Sequence, residues 1–268
     1  MPERRLQIAA VSFLNTKPLV HYLLDRPDVK VVFDVPSRLV KRLHRGQADV
    51  GLIPVVDWAR SMDDLRPVGD GCIASDGTTL TVRVFSRCRA EQVRTVHADV
   101  DSHISVVLGQ VLWRKCFGTQ LRIDPLASLE NTARAEAVLL IGDKVISQWR
   151  EPWPCQIDLG ELWKSLTGLP FVFAMWVARR PAATEHVARL LNEARDKGCN
   201  DARRLATIYG PQCHWPLPVA EEYLTRYMKY QMDGLSRKGL ETFLEMAGAL
   251  GLIPQPRATP KQPAAAQP

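Results

Sequence analysis

The residues best suited to chemistry are small, polar and grouped where short apolar runs end. Ser12, Asn15 and Thr16 form one group, and Ser75, Asp76 and Gly77 a second. Ser102, His103 and Ser105 form a third, and Gly142 with Asp143 a fourth. Ile53, Pro54 and Val55 close a further apolar run and offer backbone groups rather than side-chain donors. Hydroxyls, an amide and the free N–H groups of helix starts together suit capture of a carboxylate. Each helix-terminus contact is worth ~0.3–1 kcal/mol, and up to ~2 when partly buried. A dicarboxylate gripped from two sides gains from both. The same residue types also act as plain helix caps, so it is the convergence of several segments that speaks for a ligand.

Other chemistries lack their signatures. There is no G-x-x-x-x-G-K-[ST] phosphate loop, no strand-linked G-x-G-x-x-G and no G-x-S-x-G elbow. Histidines 21, 44, 97, 103, 186 and 214 show no metal-ligand spacing. Cysteines 72, 88, 116, 155, 199 and 213 make no C-x-x-C pair. No metal or cofactor is therefore expected, and the thiols read as free and buried or half-buried. The 268 residues, 46% hydrophobic and 24% charged, exclude a disordered chain or a disulfide-stapled miniprotein. A net charge of +6 is mild and favours an anionic ligand, or loose contact with any polyanion, without identifying either. Basic residues are scattered without interleaved aromatics, which argues against nucleic acid. No apolar run approaches the roughly 20 residues of a membrane span. The amino-terminal stretch is too short for a signal peptide, so the expected location is cytoplasmic.

Those groups need elements to position them. Gln7–Ser12, Val29–Val35 and Val50–Val55 read as strands, the last apolar enough to be covered on both faces. Thr16-Lys17-Pro18 and Pro36-Ser37 read as helix starts. Cys72–Ala74 and Thr81–Phe85 are further strands. A second unit of the same kind follows: strand Thr95–Ala98, helix Ile104–Phe117, strand Ala137–Ile141, helix Glu161–Leu166 and strand Phe171–Ala178. From residue 184 only helix signals remain. One helix is capped by Thr184, another carries Tyr223, Leu224, Tyr227 and Met228, and a third is capped by Ser236. Residues 257–268, rich in Pro, Ala and Gln, read as a disordered tail. Two β/α units imply a two-lobed α/β protein. Its ligand belongs beyond the carboxyl ends of the strands, where the polar groups lie.

Ala10-Val11-Ser12-Phe13-Leu14-Asn15-Thr16-Lys17-Pro18-Leu19 resembles the amino-terminal signature of the MqnA family, the chorismate dehydratases of the futalosine route to menaquinone. Four further blocks agree in order: 36–39 through 49–56, 73–77, 139–143, and 158–160 through 166–174. The resemblance covers about residues 5–250. It implies a type II periplasmic-binding-protein-like fold with two α/β lobes and carboxyl-terminal helices. Lobe one would span 1–85 completed by 181–256, and lobe two 86–180, with Thr81–Phe85 and Phe171–Ala178 as the crossings. One segment departs from the family pattern. Where a Ser-Arg-Thr-Ser type run is expected, Ser102-His103-Ile104-Ser105 stands. Carboxylate binding there would rest on Ser102, Ser105 and backbone amides, with His103 a donor when protonated.

The activity implied is removal of water from chorismate to give 3-[(1-carboxyvinyl)oxy]benzoate. Loss of the C3 proton and the C4 hydroxyl makes the ring aromatic, so the barrier lies mainly in breaking C3–H. Donors fixed on the ring carboxylate would stabilise the charge that develops there. The substrate's own enolpyruvyl carboxylate is the base on this reading, with Asn15 positioning the reacting end. Asp76 and Asp143 are the protein alternatives. Two other functions stay open. One is a binding protein of the same fold without turnover. The other is the dihydroxynaphthoate synthase of the same pathway, whose Ser-Pro-Cys-Pro-Asn-Asp-like signature is replaced here by Ser-Phe-Leu-Asn. Monomer and homodimer are both compatible with the sequence.

Overall fold

The structure, a computed structural model, describes residues 4–99, 102–126, 132, 135–147 and 153–255. Leu6–Ala10 (β1) passes through a 3-10 turn into Lys17–Leu24 (α1), and Val29–Phe33 (β2) follows. Pro36–His44 (α2), Val50–Pro54 (β3), Val55–Ala59 (α3) and Leu65–Ser75 (β4) come next. Both α1 and α2 carry proline in the first turn, where its missing N–H has no partner to lose. The second unit comprises Val82–Ser86 (β5), Thr95–Ala98 (β6), His103–Phe117 (α4), Arg122–Pro125 (β7) and Ala137–Ile141 (β8). It continues through Lys144–Ser147 (α5), Cys155–Asp158 (β9), Leu159–Thr167 (α6) and Phe171–Arg179 (β10). Glu185–Asn200 (α7), Ala202–Tyr209 (α8), Leu217–Glu222 (α9), Met228–Gln231 (β11) and Gly234–Ala249 (α10) complete the chain.

These strands form two mixed sheets, ordered β11-β4-β10-β3-β1-β2 and β7-β6-β8-β5-β9. In the first, Ile8 of β1 sits between Val31 and Val50 of its parallel neighbours, while β10 runs antiparallel to β3 and β4. In the second, β8 pairs parallel with β6 and antiparallel with β5. All of β3 and β8 is buried, as strands covered on both faces must be. Helix α7 lies against α1 so closely that a Cβ on Gly198 would stand 1.9 Å from the Pro18 carbonyl oxygen. Only glycine fits there.

The strand assignments correct the expected crossings. Thr81–Phe85 is not a crossing, because β5 pairs on both sides within the second sheet. Phe171–Ala178 belongs to the first sheet, between β3 and β4. The chain changes sheets at residues 76–81 and again through α6, so the sheet boundaries fall earlier than 85 and 180. β3 also stops one residue short, with Val55 opening α3. Past residue 184 the chain is not wholly helical. Tyr223–Tyr227 is a π-helical turn, and β11 pairs antiparallel with β4. Ser236 is not the cap of α10; Asp233 is, its carboxylate accepting the Ser236 N–H at 2.7 Å. The tail 257–268 lies outside the described residues. No helix among the described residues is long and apolar enough to cross a membrane.

Candidate active site

Beyond Ala10 the chain turns toward the gap between the sheets. Val11, Phe13 and Asn15 line a cavity there, with Leu52 and Pro54 of β3, Ile73 of β4 and Phe173 of β10. The second sheet contributes Ile104 and Ser105 from the start of α4, and Ile141 and Gly142 from the end of β8. Thr79 and Thr81, in the segment that changes sheets, also face it. The atom-free space between these residues is about 690 Å³, open solvent at the mouth included. The wall is apolar except at Asn15, Thr79, Thr81 and Ser105, and no acid, base or cation is among its described residues.

A buried phenol organises these polar groups. Asn15 Nδ2 donates to Tyr223 Oη at 3.0 Å, and that oxygen lies 2.9 Å from Thr81 Oγ1. Thr81 Oγ1 also lies 3.4 Å from the Thr79 carbonyl, to which it donates. Tyr223 is 1% exposed. Burial raises its pKa far above the ordinary tyrosine value and keeps the proton on the oxygen. Its ring stacks on Trp215 with centroids 4.6 Å apart.

The Asp158 carboxylate holds the sheet-changing segment. It accepts the Thr79 N–H and Oγ1–H at 3.0 Å each and the Leu80 N–H at 2.9 Å. It also caps α6 through the Gly160 and Glu161 N–H groups. Leu80 has φ +61°, a left-handed conformation that costs a leucine free energy. The donors gathered on Asp158 over-determine the turn and keep Leu80 there.

A wider outer pocket adjoins the cavity and shares Val11, Phe13, Pro36 and Ile141 with it. Ser12, Asp143, Lys144, Cys213 and His214 line it. Asp143 accepts the Leu14 N–H at 3.2 Å and the Trp215 indole N–H at 3.0 Å. Burial raises its pKa, with those hydrogen bonds and Lys17 pulling the other way. Burial likewise pushes the Cys213 thiol up to about 11 and lowers the pKa of Lys17. Lys144 is ion-paired with Asp99.

The polar groups singled out in the sequence do not all converge. Asn15, Pro54, Ser105 and Gly142 share the inner cavity. Ser12 and Asp143 line the outer pocket. Ser102 and His103 face a third pocket beside Arg60 and β7, and His103 Nδ1 lies 3.0 Å from the Asp57 carboxylate. His103 precedes Ser105 by two positions and so lies on another side of α4, while Ser102 precedes the helix itself. Thr16 is buried with its hydroxyl toward Asn15 Oδ1 at 3.5 Å. Alternation along β3 sends Leu52 and Pro54 to the cavity and Ile53 to the other face, toward Leu43, while Val55 is buried in α3. Ser75 donates to the Gly77 carbonyl at 3.1 Å, and Asp76 pairs with Lys164 on the surface at 2.5 Å. That group forms a turn outside the cavity. Sequence reasoning missed Thr79, Thr81, Tyr223, Trp215 and Asp158 as parts of the site. Only Asp158 carried a signal, standing just before an apolar helix as a cap does.

Comparison with known proteins agrees with this architecture. A family model described as menaquinone biosynthesis matches residues 6–249. The chorismate dehydratase of Thermus thermophilus is 26% identical over 253 residues, covering 88% of this chain and 93% of that protein. A structural-genomics crystal structure from Archaeoglobus fulgidus has a TM-score of 0.71 at 16% identity, over 94% of this chain and 100% of that one. The alkanesulfonate-binding protein of Xanthomonas axonopodis pv. citri, bound to MOPS, has a TM-score of 0.65 at 14% identity, over 96% of each chain. The two structures share the periplasmic-binding-protein-like fold, and the first match spans nearly all the described residues: the chain belongs to the menaquinone biosynthesis family.

Proposed function

We propose that the protein is a chorismate dehydratase, a hydro-lyase that converts chorismate to 3-[(1-carboxyvinyl)oxy]benzoate and water. The observation that carries this reading is the cavity's composition: an amide and three hydroxyls in an apolar wall, with no described acid or base. Such a site suits a substrate that brings its own base. The enolpyruvyl carboxylate takes the C3 proton, and the C–H electrons pass through the ring diene toward the ring carboxylate. The C4–O bond then breaks, and the proton removed from C3 ends on the departing oxygen as water. The enolpyruvyl carboxylate is regenerated and the ring is aromatic.

The protein's part is orientation and charge stabilisation in a dry cavity. Asn15 and Ser105 offer donors from the two sides of the gap, and the first N–H groups of α4 add theirs. In the outer pocket Lys144 and the nearby Lys17 are set against Asp34, Asp99 and Asp143, so orientation in the inner cavity, not net attraction at its mouth, carries the binding. The reading includes a cytoplasmic location and a single small-molecule partner. The shared fold of the sulfonate-binding protein, together with the absence of a described base, keeps a binding-only function as the second reading. Incubation of purified protein with chorismate separates them. Loss of the diene absorbance, with a product lighter by one water, is the expected result. Saturable binding without conversion would establish the receptor instead.

A further inference from the structure

Tyr223 lies outside every group of residues that the sequence marks for chemistry, yet it touches both Asn15 and Thr81 from behind the cavity wall. We infer that its hydroxyl is a positioning group that fixes the orientation of the Asn15 amide and the direction in which Thr81 presents its oxygen. The inference rests on the dehydratase reading and adds a residue to it.

A phenol has one proton. With the one Thr81 hydroxyl proton given to the Thr79 carbonyl at 3.4 Å, the 2.9 Å contact between the two hydroxyls is made by the Tyr223 proton, while Tyr223 Oη accepts the Asn15 Nδ2–H. Every proton in the chain from Asn15 to Thr79 thereby has one direction. The Asn15 amide is held with its nitrogen toward Tyr223. Thr81, which faces the cavity, keeps a lone pair and no proton for a ligand, so it accepts a ligand hydroxyl. The substrate proposed above carries one hydroxyl, on C4. An acceptor holding that hydroxyl's hydrogen leaves the oxygen's lone pairs free for the proton that converts it to water.

Two features of the fold keep the phenol in place. Tyr223 opens a π-helical turn between α9 and β11, an irregularity that recurs at functional sites. Its ring is stacked on Trp215, whose indole N–H is held by Asp143 across the gap. The ring is thus fixed by packing, and only the hydroxyl speaks to the site.

The test is a double-mutant cycle on chorismate turnover with Tyr223→Phe, Asn15→Ala and the double variant, each checked by thermal melting. Tyr223→Phe keeps the stacked ring and removes one oxygen. Its kcat should fall roughly tenfold to a hundredfold, the scale of lost orientation, with KM changed less than about threefold. In the Asn15→Ala background the same substitution should cost under about twofold, because the group it orients is gone. Full additivity of the two losses, or unchanged kcat in Tyr223→Phe, would overturn the inference while leaving the dehydratase reading intact. No conversion by the wild-type protein would overturn both. If the Phe variant does not fold, Thr81→Val removes the acceptor of the Tyr223 proton and reads the same coupling to Asn15.

Discussion

Asp143 and Leu14 meet across the gap between the two sheets, the Leu14 N–H lying 3.2 Å from the nearer carboxylate oxygen. Asp143 follows β8 of the second sheet and Leu14 follows β1 of the first, so this contact ties the lobes beside the cavity mouth. Trp215 adds an indole N–H from the carboxyl-terminal region at 3.0 Å. Burial raises the Asp143 pKa above its ordinary value of 3.8. The native state therefore binds this proton more tightly than the unfolded chain does. The contribution is fully present below the ordinary pKa and is lost as pH rises through the raised one. Asp143→Asn holds a neutral group at every pH. In urea titrations, wild-type stability relative to Asp143→Asn should be greatest near pH 3 and should decline through the carboxylate range to a plateau. A difference that grew with pH would mean that the ionised form is the one the fold favours.

Asn15 is the only side-chain amide among the cavity's described residues, half-buried and anchored on Tyr223 through one of its two N–H bonds. Its remaining N–H and its carbonyl are the groups available to orient a ligand. Asn15→Ala should lower chorismate turnover by about a hundredfold or more, with a melting temperature close to that of the wild type. Turnover within a few-fold of wild type would remove Asn15 from the mechanism and shift attention to Ser105 and the first turn of α4.

How much of this was readable beforehand depends on burial. Strands such as β3 and β8, covered on both faces, announce themselves as unbroken apolar runs. Of the edge strands, only β2 is legible. Arg122-Ile123-Asp124-Pro125 and Cys155-Gln156-Ile157-Asp158 lie at the two margins of the second sheet and alternate polar with apolar over four residues. β11, at the edge of the first sheet, hides behind a helical spacing from Tyr223 to Met228 that is instead a π turn running into a strand. The site divides in the same way. Asn15 and Ser105 stand at ends of legible elements. Ser75 looks identical in sequence, yet its hydroxyl is spent on the Gly77 carbonyl within one turn. His103 sits across from Asp57, a pairing that depends on how α3 meets α4 and leaves no local trace.

Asp158 gathers the Thr79, Leu80, Gly160 and Glu161 N–H groups and the Thr79 hydroxyl on one carboxylate that is 7% exposed. Asp158→Ala strands several of these donors in the interior and releases the strained Leu80 backbone. The expected loss is about 3–5 kcal/mol, since each buried orphan donor costs roughly 1–3 kcal/mol and the segment relaxes in part. Asp158→Asn keeps one acceptor oxygen and should lose less than half as much. Urea midpoints at constant slope measure both. Equal losses for the two variants would show that charge, through Arg83 at 3.5 Å, outweighs the hydrogen-bond count.

Gly142 has φ +71°, and a Cβ built on it would lie 3.1 Å from the Phe13 ring. Phe13 borders both the inner cavity and the outer pocket, so its ring forms part of the passage between them. Gly142→Ala combines two penalties: a left-handed backbone that costs an alanine ~1–2 kcal/mol, and displacement of an aromatic ring. The first acts on stability alone. The second acts on ligand entry, and chorismate KM should rise as the ring moves. Adding Phe13→Ala removes the obstruction without changing the backbone. The double variant should therefore recover the Gly142→Ala part of the KM increase while retaining its backbone cost, a separation visible by comparing kinetics with melting curves. Recovery of stability without recovery of KM would assign the effect to crowding in the core and release Phe13 from any part in ligand passage.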